Sequence, residues 1–457
     1  MRTIVNYAVG SLGTGGYATL PGLVLTYFLT DNLGVAALAA GLIVTSAKVW
    51  DVIIDPLIGA ASDRRLARTG SRRGFMVIGA LTLPVFFALT FAVPPSWGPV
   101  AGAICVLLAF LGTATAFSLF QVPYVALPAE LTRSYDERTR LLGWRVVVLT
   151  AAILLFGAGG PMLRRATGDP VTGYLLMGIV AGVVIGIGML IASRTADAAA
   201  AIPSRGTVAP VAGPVEAPAP APSLRTQYLS GFRALRRSIP FRALLGTFLL
   251  QALATGTMLA GAQYVATWVL RDEAAVEVLF VALVAPALIA TPAWTVIANR
   301  IGKERSFLAA SILFLVASAT IVFAVWAPGA WIYASVAVAG VAYAGLQSLP
   351  MAMLPDVISH DERTSGPGQA GTFTGVWTAG ETVGFALGAT AVSLMLAATG
   401  YVSSVAGAST VQPDAAVTGI VLSFSILPAA LMALSLIPLA RYTLRRHDIE
   451  TAPMQPA

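Results

Sequence analysis

Charge is what this chain has least of. Only 11% of its 457 residues are charged, while 57% are hydrophobic, and mean hydropathy is +0.81. A soluble domain would have about a quarter of its residues charged, so a soluble globular protein is excluded. Cysteine is nearly absent too. Cys105 stands alone, which rules out a disulfide within the chain, and a lone cysteine in an apolar span is expected to be an inert core residue. The two histidines, His360 and His447, lie in hydrophilic segments, with no ligand cluster that would hold a metal. No catalytic constellation and no cofactor motif is present.

What the chain does have is long apolar runs along its whole length. Twelve are long enough to cross a bilayer, at roughly 4–30, 35–61, 75–93, 99–127, 141–163, 172–193, 241–270, 277–298, 306–326, 330–354, 370–397 and 416–440. The first is too long for a signal peptide and has no small-residue cleavage site. The net charge of +7 is a matter of topology, not of a nucleic-acid partner. With the N-terminus in the cytoplasm, every basic residue falls on the cytoplasmic side except Arg164, Arg165, Arg271, Lys48 and Arg145. The positive-inside rule therefore predicts both termini in the cytoplasm of a cell whose inner membrane holds the protein.

After the sixth span the composition changes. Residues 195–240 begin with an Ala/Pro-rich, aperiodic stretch expected to be a solvated linker. They end in a basic stretch, Arg225–Arg242, that either lies on the membrane surface or enforces topology. This divides the chain into a six-helix bundle at 1–194, the linker, a second bundle at 241–446 and a tail at 447–457.

The two halves repeat each other. Pro56 precedes Asp63-Arg64 by seven residues, and Pro292 precedes Asn299-Arg300 by the same seven. The fourth span ends in Leu127-Pro128-Ala129-Glu130 followed by Asp136-Glu137-Arg138-Thr139. The tenth ends in Leu354-Pro355-Asp356 followed by Asp361-Glu362-Arg363-Thr364. A six-plus-six duplication of this kind is a common transporter plan, with the substrate site between the repeats at the midplane.

The second span carries two aspartates in the run Lys48-Val-Trp-Asp51-Val-Ile-Ile-Asp55-Pro56. A carboxylate at mid-membrane costs roughly 2.5–3.5 kcal/mol on insertion scales. Asp51 and Asp55 share one helical face, roughly 6 Å apart. In a low-dielectric site both cannot ionise cheaply, so they share a proton or hold a cation. Lys48, one turn earlier, can neutralise one of them, and Pro56 frees a backbone carbonyl. Arg145 in the fifth span and Glu381 in the eleventh are the other deep charges. Together with Gln121, Tyr124 and Trp377 they are the candidate substrate residues. Gly59-Ala-Ala-Ser-Asp63-Arg64, with Arg300 at the matching place in the second half, is a candidate conformational latch, because Asp63 at a helix end can hold arginines.

These stretches resemble the glycoside-pentoside-hexuronide:cation symporter group of the major facilitator superfamily, the melibiose-permease-like branch. The helix-2 run from Lys48 to Gly59, the loop Ser71-Arg72-Arg73-Gly74, the helix-4 exit at Pro123-Tyr124 to Glu130, Arg145, and the segment from Asp356 to Gly371 all match. The resemblance implies an all-α membrane protein with the twelve-helix, six-plus-six pseudo-symmetric major facilitator fold. It also implies cation-coupled uptake of a small organic solute such as a sugar or glycoside, with Asp51 and Asp55 binding the coupling ion. The chain departs from the pattern at the melibiose permease's sugar-binding acids. Helix 1 has Thr14-Gly15 in place of one and helix 4 has Gln121 in place of the other, while the helix-11 lysine is replaced around Glu381-Thr382.

Sodium and protons both remain candidate coupling ions. Protons are favoured, because the third acid of a sodium site is missing and desolvation raises the affinity of the pair for a proton. The substrate stays open: a facilitator working as an exporter, or a carrier of an amphipathic, lipid-like compound, is the alternative. A membrane prenyltransferase is the distant one, since Asp51, Asp55 and Asp63 could mimic one diphosphate-binding motif but the opposite half has only Asn299. The expected partners are the small-molecule substrate and the lipid bilayer, with no nucleic acid, and the protein is expected to be a monomer that is not an enzyme.

Overall fold

The computed structural model describes residues 2–132, 135–200, 237–365, 370–408 and 410–444. The linker from 201 to 236, most of the basic stretch and the tail 447–457 lie outside the described residues. Within them the regular elements are helices, with one isolated bridge between Leu33 and Val405. The first span is α1 (Arg2–Val9) and α2 (Ser11–Tyr27), separated at Gly10 and followed by a π-turn, Phe28–Asn32. Then come α3 (Ala37–Thr69), α4 (Arg73–Phe91), α5 (Pro99–Leu131), α6 (Tyr135–Arg165), α7 (Pro170–Ser193) and the short α8 (Thr195–Ala200). The second half has α9 (Ile239–Tyr264), α10 (Ala275–Ile301), α11 (Lys303–Thr320), α12 (Trp331–Ser365), α13 (Ala370–Ala398), α14 (Asp414–Phe424) and α15 (Ile426–Ala440).

Eleven helices, counting α14 and α15 as one, are long and apolar enough to cross a membrane by themselves. The first span makes the twelfth; the break at Gly10 and the π-turn divide it into pieces too short to qualify alone. Helices α3, α5 and α12 run past the ends expected from hydropathy, because polar sequence continues a helix as readily as apolar sequence once a turn is in place. Prolines 56, 123, 128, 286, 292, 350 and 355 sit inside helices without ending them, as membrane helices tolerate.

The expected linker needs a correction at its start. Residues 195–200 are a helix, for which the run Thr-Ala-Asp-Ala-Ala-Ala has high intrinsic propensity. An ion pair between Asp197 and Arg73 at the start of α4 holds it in place.

The chain forms two compact units. One comprises Met1–Leu20, Val49–Trp97 and Ile104–Thr226, and the other Pro21–Lys48, Gly98–Ala103 and Gln227–Ala457. The later part of α2 and the earlier part of α3 thus belong with the second half of the sequence.

In the first unit α4 packs along α7 with little side chain between them. A methyl group on Gly186 would stand 2.5 Å from Pro84 Cγ. In the second, α9 and α13 meet at Gly256 and Gly388, where a Cβ on Gly388 would lie 2.3 Å from the backbone carbon of Gly256. Small residues that let backbones approach are the usual basis of helix association in lipid.

The segment 21–48 joins the second unit through specific bonds. Thr45 Oγ1 donates to the Ala386 carbonyl at 2.9 Å, and Thr390 Oγ1 donates to that of Gly41 at 3.1 Å. Backbone bonds run from Ser404 to Thr30 and from Ala406 to Asn32. A single residue, Gly302, joins α10 to α11 at φ +94°, a conformation that favours glycine. Leu108, Val147 and Ile289 are among many exposed apolar side chains, which suits a surface bathed in hydrocarbon rather than water.

Candidate functional site

The acid pair lies in an unbroken α3. Asp51 is buried, with 6% of its surface exposed, and the Tyr17 hydroxyl donates to its Oδ2 at 3.1 Å. Tyr17 is itself clamped, its ring stacked 4.1 Å from that of Phe117. Asp55 and Lys48 are half-buried, one turn to either side of Asp51. Trp50 turns to the opposite side and donates its Nε1 proton to Thr115 at 3.0 Å. Sequence periodicity put Asp51 and Asp55 on one face, but nothing in it singled out Tyr17, thirty-four residues away.

A second polar group sits on the seam between α2 and α5 of the same unit. Thr14 Oγ1 donates to Gln121 Oε1 at 2.9 Å. One turn away, Ser11 Oγ lies 3.2 Å from the Tyr124 hydroxyl, which donates to the Tyr7 carbonyl at 2.8 Å. The Tyr124 ring is fully buried, stacked between Tyr7 at 4.6 Å and Phe120 at 5.0 Å. Gly10 makes that stack possible, since a methyl group there would stand 2.6 Å from the Tyr124 ring.

Arg145 on α6 places its guanidinium 5.6 Å from the centre of the same ring, a cation-π distance. Thr14 rather than Gly15 is the residue that meets Gln121. Gly15 faces α6 instead, where a Cβ would lie 2.7 Å from that of Ala152.

The second unit holds the other candidates. Trp377 on α13 is buried and stacked on Phe248 of α9 at 4.3 Å. Glu381, one turn on, is half-buried and close enough to Tyr343 of α12 to act on it by charge. Gln347 donates to the Tyr343 hydroxyl at 3.0 Å. Glu381 forms no ion pair among the described residues.

The same unit has an acid that the sequence did not flag. Asp31 accepts from Tyr401 OH at 2.6 Å and from Thr30 Oγ1 at 2.6 Å. Thr30 in turn lies 2.7 Å from the Tyr264 hydroxyl. Asp31 sits at the end of its span rather than within it, so hydropathy gave no cost to notice.

The latch differs in its arginine. Asp63 pairs with Arg72 at 2.6 Å, while Arg64 and Arg300 are exposed. Arg72 also donates from Nε to Glu130 at 2.7 Å and from Nη1 to Ser62 at 2.9 Å. Burial acts to lower its pKa, but the hydrogen bonds to Glu130 and Asp63 outweigh that and raise it. Gly59 lies nearby on α3, with only an ordinary contact to Val122 at 3.6 Å for a Cβ built there.

The second half has its own clasp, made by Lys303. Its Nζ reaches Asp356 at 2.6 Å and the Ala352 carbonyl at 3.0 Å. Arg72 and Lys303 stand at the starts of α4 and α11, Glu130 at the end of α5 and Asp356 in the later part of α12. The two clasps are therefore repeats of one device. Asp361, buried, is held by Arg237.

Two bundles of membrane helices, with buried charges in each and a repeated clasp, define the chain as a multi-pass transporter of the major facilitator type. The solved structures agree on the fold. The nucleoside transporter NupG superposes with a TM-score of 0.66 over 97% of this chain and 98% of its own, at 12% identity. A bacterial homologue of the lysosomal transporter Spinster gives 0.64 over 96% and 95%, at 14% identity.

The chain belongs to the MFS/sugar transport protein family, whose model matches residues 6–446. It is 25% identical to an uncharacterized symporter of Synechocystis, over 97% of this chain and 94% of that one. It is also 25% identical to the glucuronide carrier protein homolog of Escherichia coli, over 97% and 92%, and 24% identical to the inner membrane symporter YicJ of the same organism, over 95% and 90%. The protein is thus a membrane transporter and not an enzyme.

Proposed function

We propose that this protein is a cation-coupled symporter that carries a small sugar or glycoside across the inner membrane by alternating access. The observation that supports it most is the buried Asp51, bonded to Tyr17 and one turn from Asp55 in a continuous apolar helix. The family supplies the substrate class, and relatives named as symporters and as a glucuronide carrier homolog support coupled uptake.

Asp51 and Asp55, with Lys48 nearby, take up the coupling ion. A proton is the favoured ion: the apolar part of α3 carries only these two carboxylates, Asp63 lying beyond it in the ion pair with Arg72, and the helix-4 position holds Gln121, bonded to Thr14 instead of charged. Both termini and the 195–240 segment lie in the cytoplasm in this reading, the bundles are 1–194 and 241–446, and the protein works as a monomer.

Uptake into right-side-out vesicles, driven separately by a pH gradient and a sodium gradient, tests the coupling. Asp51→Asn and Asp55→Asn should abolish accumulation against a gradient while expression and size-exclusion behaviour stay unchanged. Wild-type accumulation in both variants would make the pair structural.

A further inference from the structure

Asp31 is a buried acid that the Asp51 and Asp55 pair does not involve. It sits half-buried in the π-turn that follows the first span, on the outer side when both termini are cytoplasmic. Its Oδ1 accepts from the Tyr401 hydroxyl and its Oδ2 from Thr30 Oγ1, each at 2.6 Å. Tyr401 in turn accepts from Trp268 Nε1 at 2.9 Å, and Thr30 meets the Tyr264 hydroxyl at 2.7 Å. Tyr27 packs edge-on against Tyr264 at 5.2 Å. Among the described residues no lysine or arginine forms an ion pair with Asp31, and Glu273, whose charge acts on it, is another acid. Burial pushes the Asp31 carboxyl up to about 7, against the opposing pull of Thr30, Tyr401 and Trp268.

These bonds join stretches that the duplication sets apart. Residues Thr30 to Leu33 belong by sequence to the first repeat. Their partners belong to the second: Tyr264 ends α9, Trp268 lies in the π-turn after it, and Tyr401 stands in the loop after α13. The backbone ties the same places, from Ser404 to Thr30 at 2.9 Å, from Ala406 to Asn32 at 3.0 Å, and through the bridge of Leu33 with Val405. Gln412 braces the loop, bonding the Val402 amide at 3.0 Å and the Val402 carbonyl at 2.7 Å. Alternating access moves one repeat against the other, so these bonds must part when the outer side opens.

We propose that this cluster is a proton-released latch, which holds the outer side shut while Asp31 is ionised and lets go when Asp31 takes a proton from outside. The inference rests on the alternating-access reading and adds a proton-responsive group that acts on the gate, apart from the coupling pair. Hydrogen bonds to an ionised acceptor are roughly twice as strong as neutral ones, so a proton on Asp31 weakens its bonds to Tyr401 and Thr30 together. The side that supplies protons to a proton-driven symporter is the more acidic one, so the latch opens toward the supply.

Cys105 is the only cysteine, and Cys105→Ala therefore gives a background for two spin labels. Labels at Trp97→Cys and Val411→Cys, both exposed and both in outer loops, report the separation of the repeats by double electron–electron resonance on the full-length protein without substrate. Between pH 8 and pH 5.5 a longer distance should grow at the expense of a shorter one, by about tenfold in their ratio, with its midpoint at about 7. Asp31→Asn, uncharged throughout, should show the longer distance at both pH values. Tyr401→Phe removes one donor from the ionised acid, so the response should persist with its midpoint moved to higher pH.

Distances that ignore pH in the wild type would overturn the latch, and so would a pH response that survives unchanged in Asp31→Asn. Both results leave alternating access itself to the uptake assays on Asp51→Asn and Asp55→Asn.

Discussion

The two halves of this protein keep the same clasp but not the same buried charges. In one, Arg72 ties the start of α4 to Glu130 at the end of α5, with Ser62 and Asp63 as further partners. In the other, Lys303 ties the start of α11 to Asp356 in the later part of α12. Each copy thus has a cation at the start of one helix held by an acid on the next.

Deeper in the membrane the copies share nothing comparable. The first has Asp51, Asp55 and Arg145; the second has Glu381, one turn from Trp377 on α13 and acting by charge on Tyr343. Charge at that depth is costly whichever half carries it. A cost retained in one copy and absent from the other reflects a task assigned to that copy, whereas a cost present in both reflects construction.

The comparison can be broken most severely at the acids. Asp51→Asn is expected to eliminate concentrative uptake, and Glu381→Gln to reduce substrate affinity or shift the pH profile of transport while accumulation against a gradient persists. Uptake measured between pH 5.5 and 8 for both variants decides it. Normal transport by Glu381→Gln across that range would leave the second half without a functional charge.

The clasps should yield a smaller and graded effect. Arg72 is 10% exposed at its side chain and has three partners, so Arg72→Ala should cost about 2–3 kcal/mol of stability. Lys303 is 41% exposed, and solvent screening limits Lys303→Ala to about 0.5–1 kcal/mol. Melting curves in detergent should rank them in that order. A larger loss for Lys303→Ala would mean that the second clasp carries more than its exposed geometry suggests.

The smallest effect is expected outside the membrane. Asp169 caps α7, its Oδ2 accepting from the Thr172 amide at 2.9 Å, and that bond lowers its pKa. A carboxyl with a lowered folded-state pKa contributes stability above its unfolded value and loses it as pH falls through the folded one. Asp169→Ala should therefore lower the melting temperature slightly at pH 7 and make no difference at pH 2. The matching helix of the second half, α14, has Pro413 at its N-cap and no side-chain cap there, so no matching acid loss is expected.

Much of the site was legible beforehand because it depends on local rules. Asp51 and Asp55 fall on one face by helical period alone, and the clasp acids Glu130 and Asp356 show themselves as a repeated pattern at span ends. Their partners could not be read in the same way. Asp63 was expected to hold arginines, but which one was not legible: it holds Arg72, which the turn into α4 brings back to it. Thr14 and Gly15 both stood in place of the resembled family's helix-1 acid. Packing decided for Thr14, since only a glycine fits against Ala152.

The sequence by itself determined the membrane class, the twelve spans and the duplication, since all of these follow from hydropathy and spacing along one chain. The tertiary structure alone decided who meets whom: Tyr17 at Asp51, Gln121 at Thr14, Arg145 over Tyr124. The reason is geometric. Helices distant in sequence choose their facing residues by the fit of side chains across a packed interface, and no periodicity within either helix carries that information.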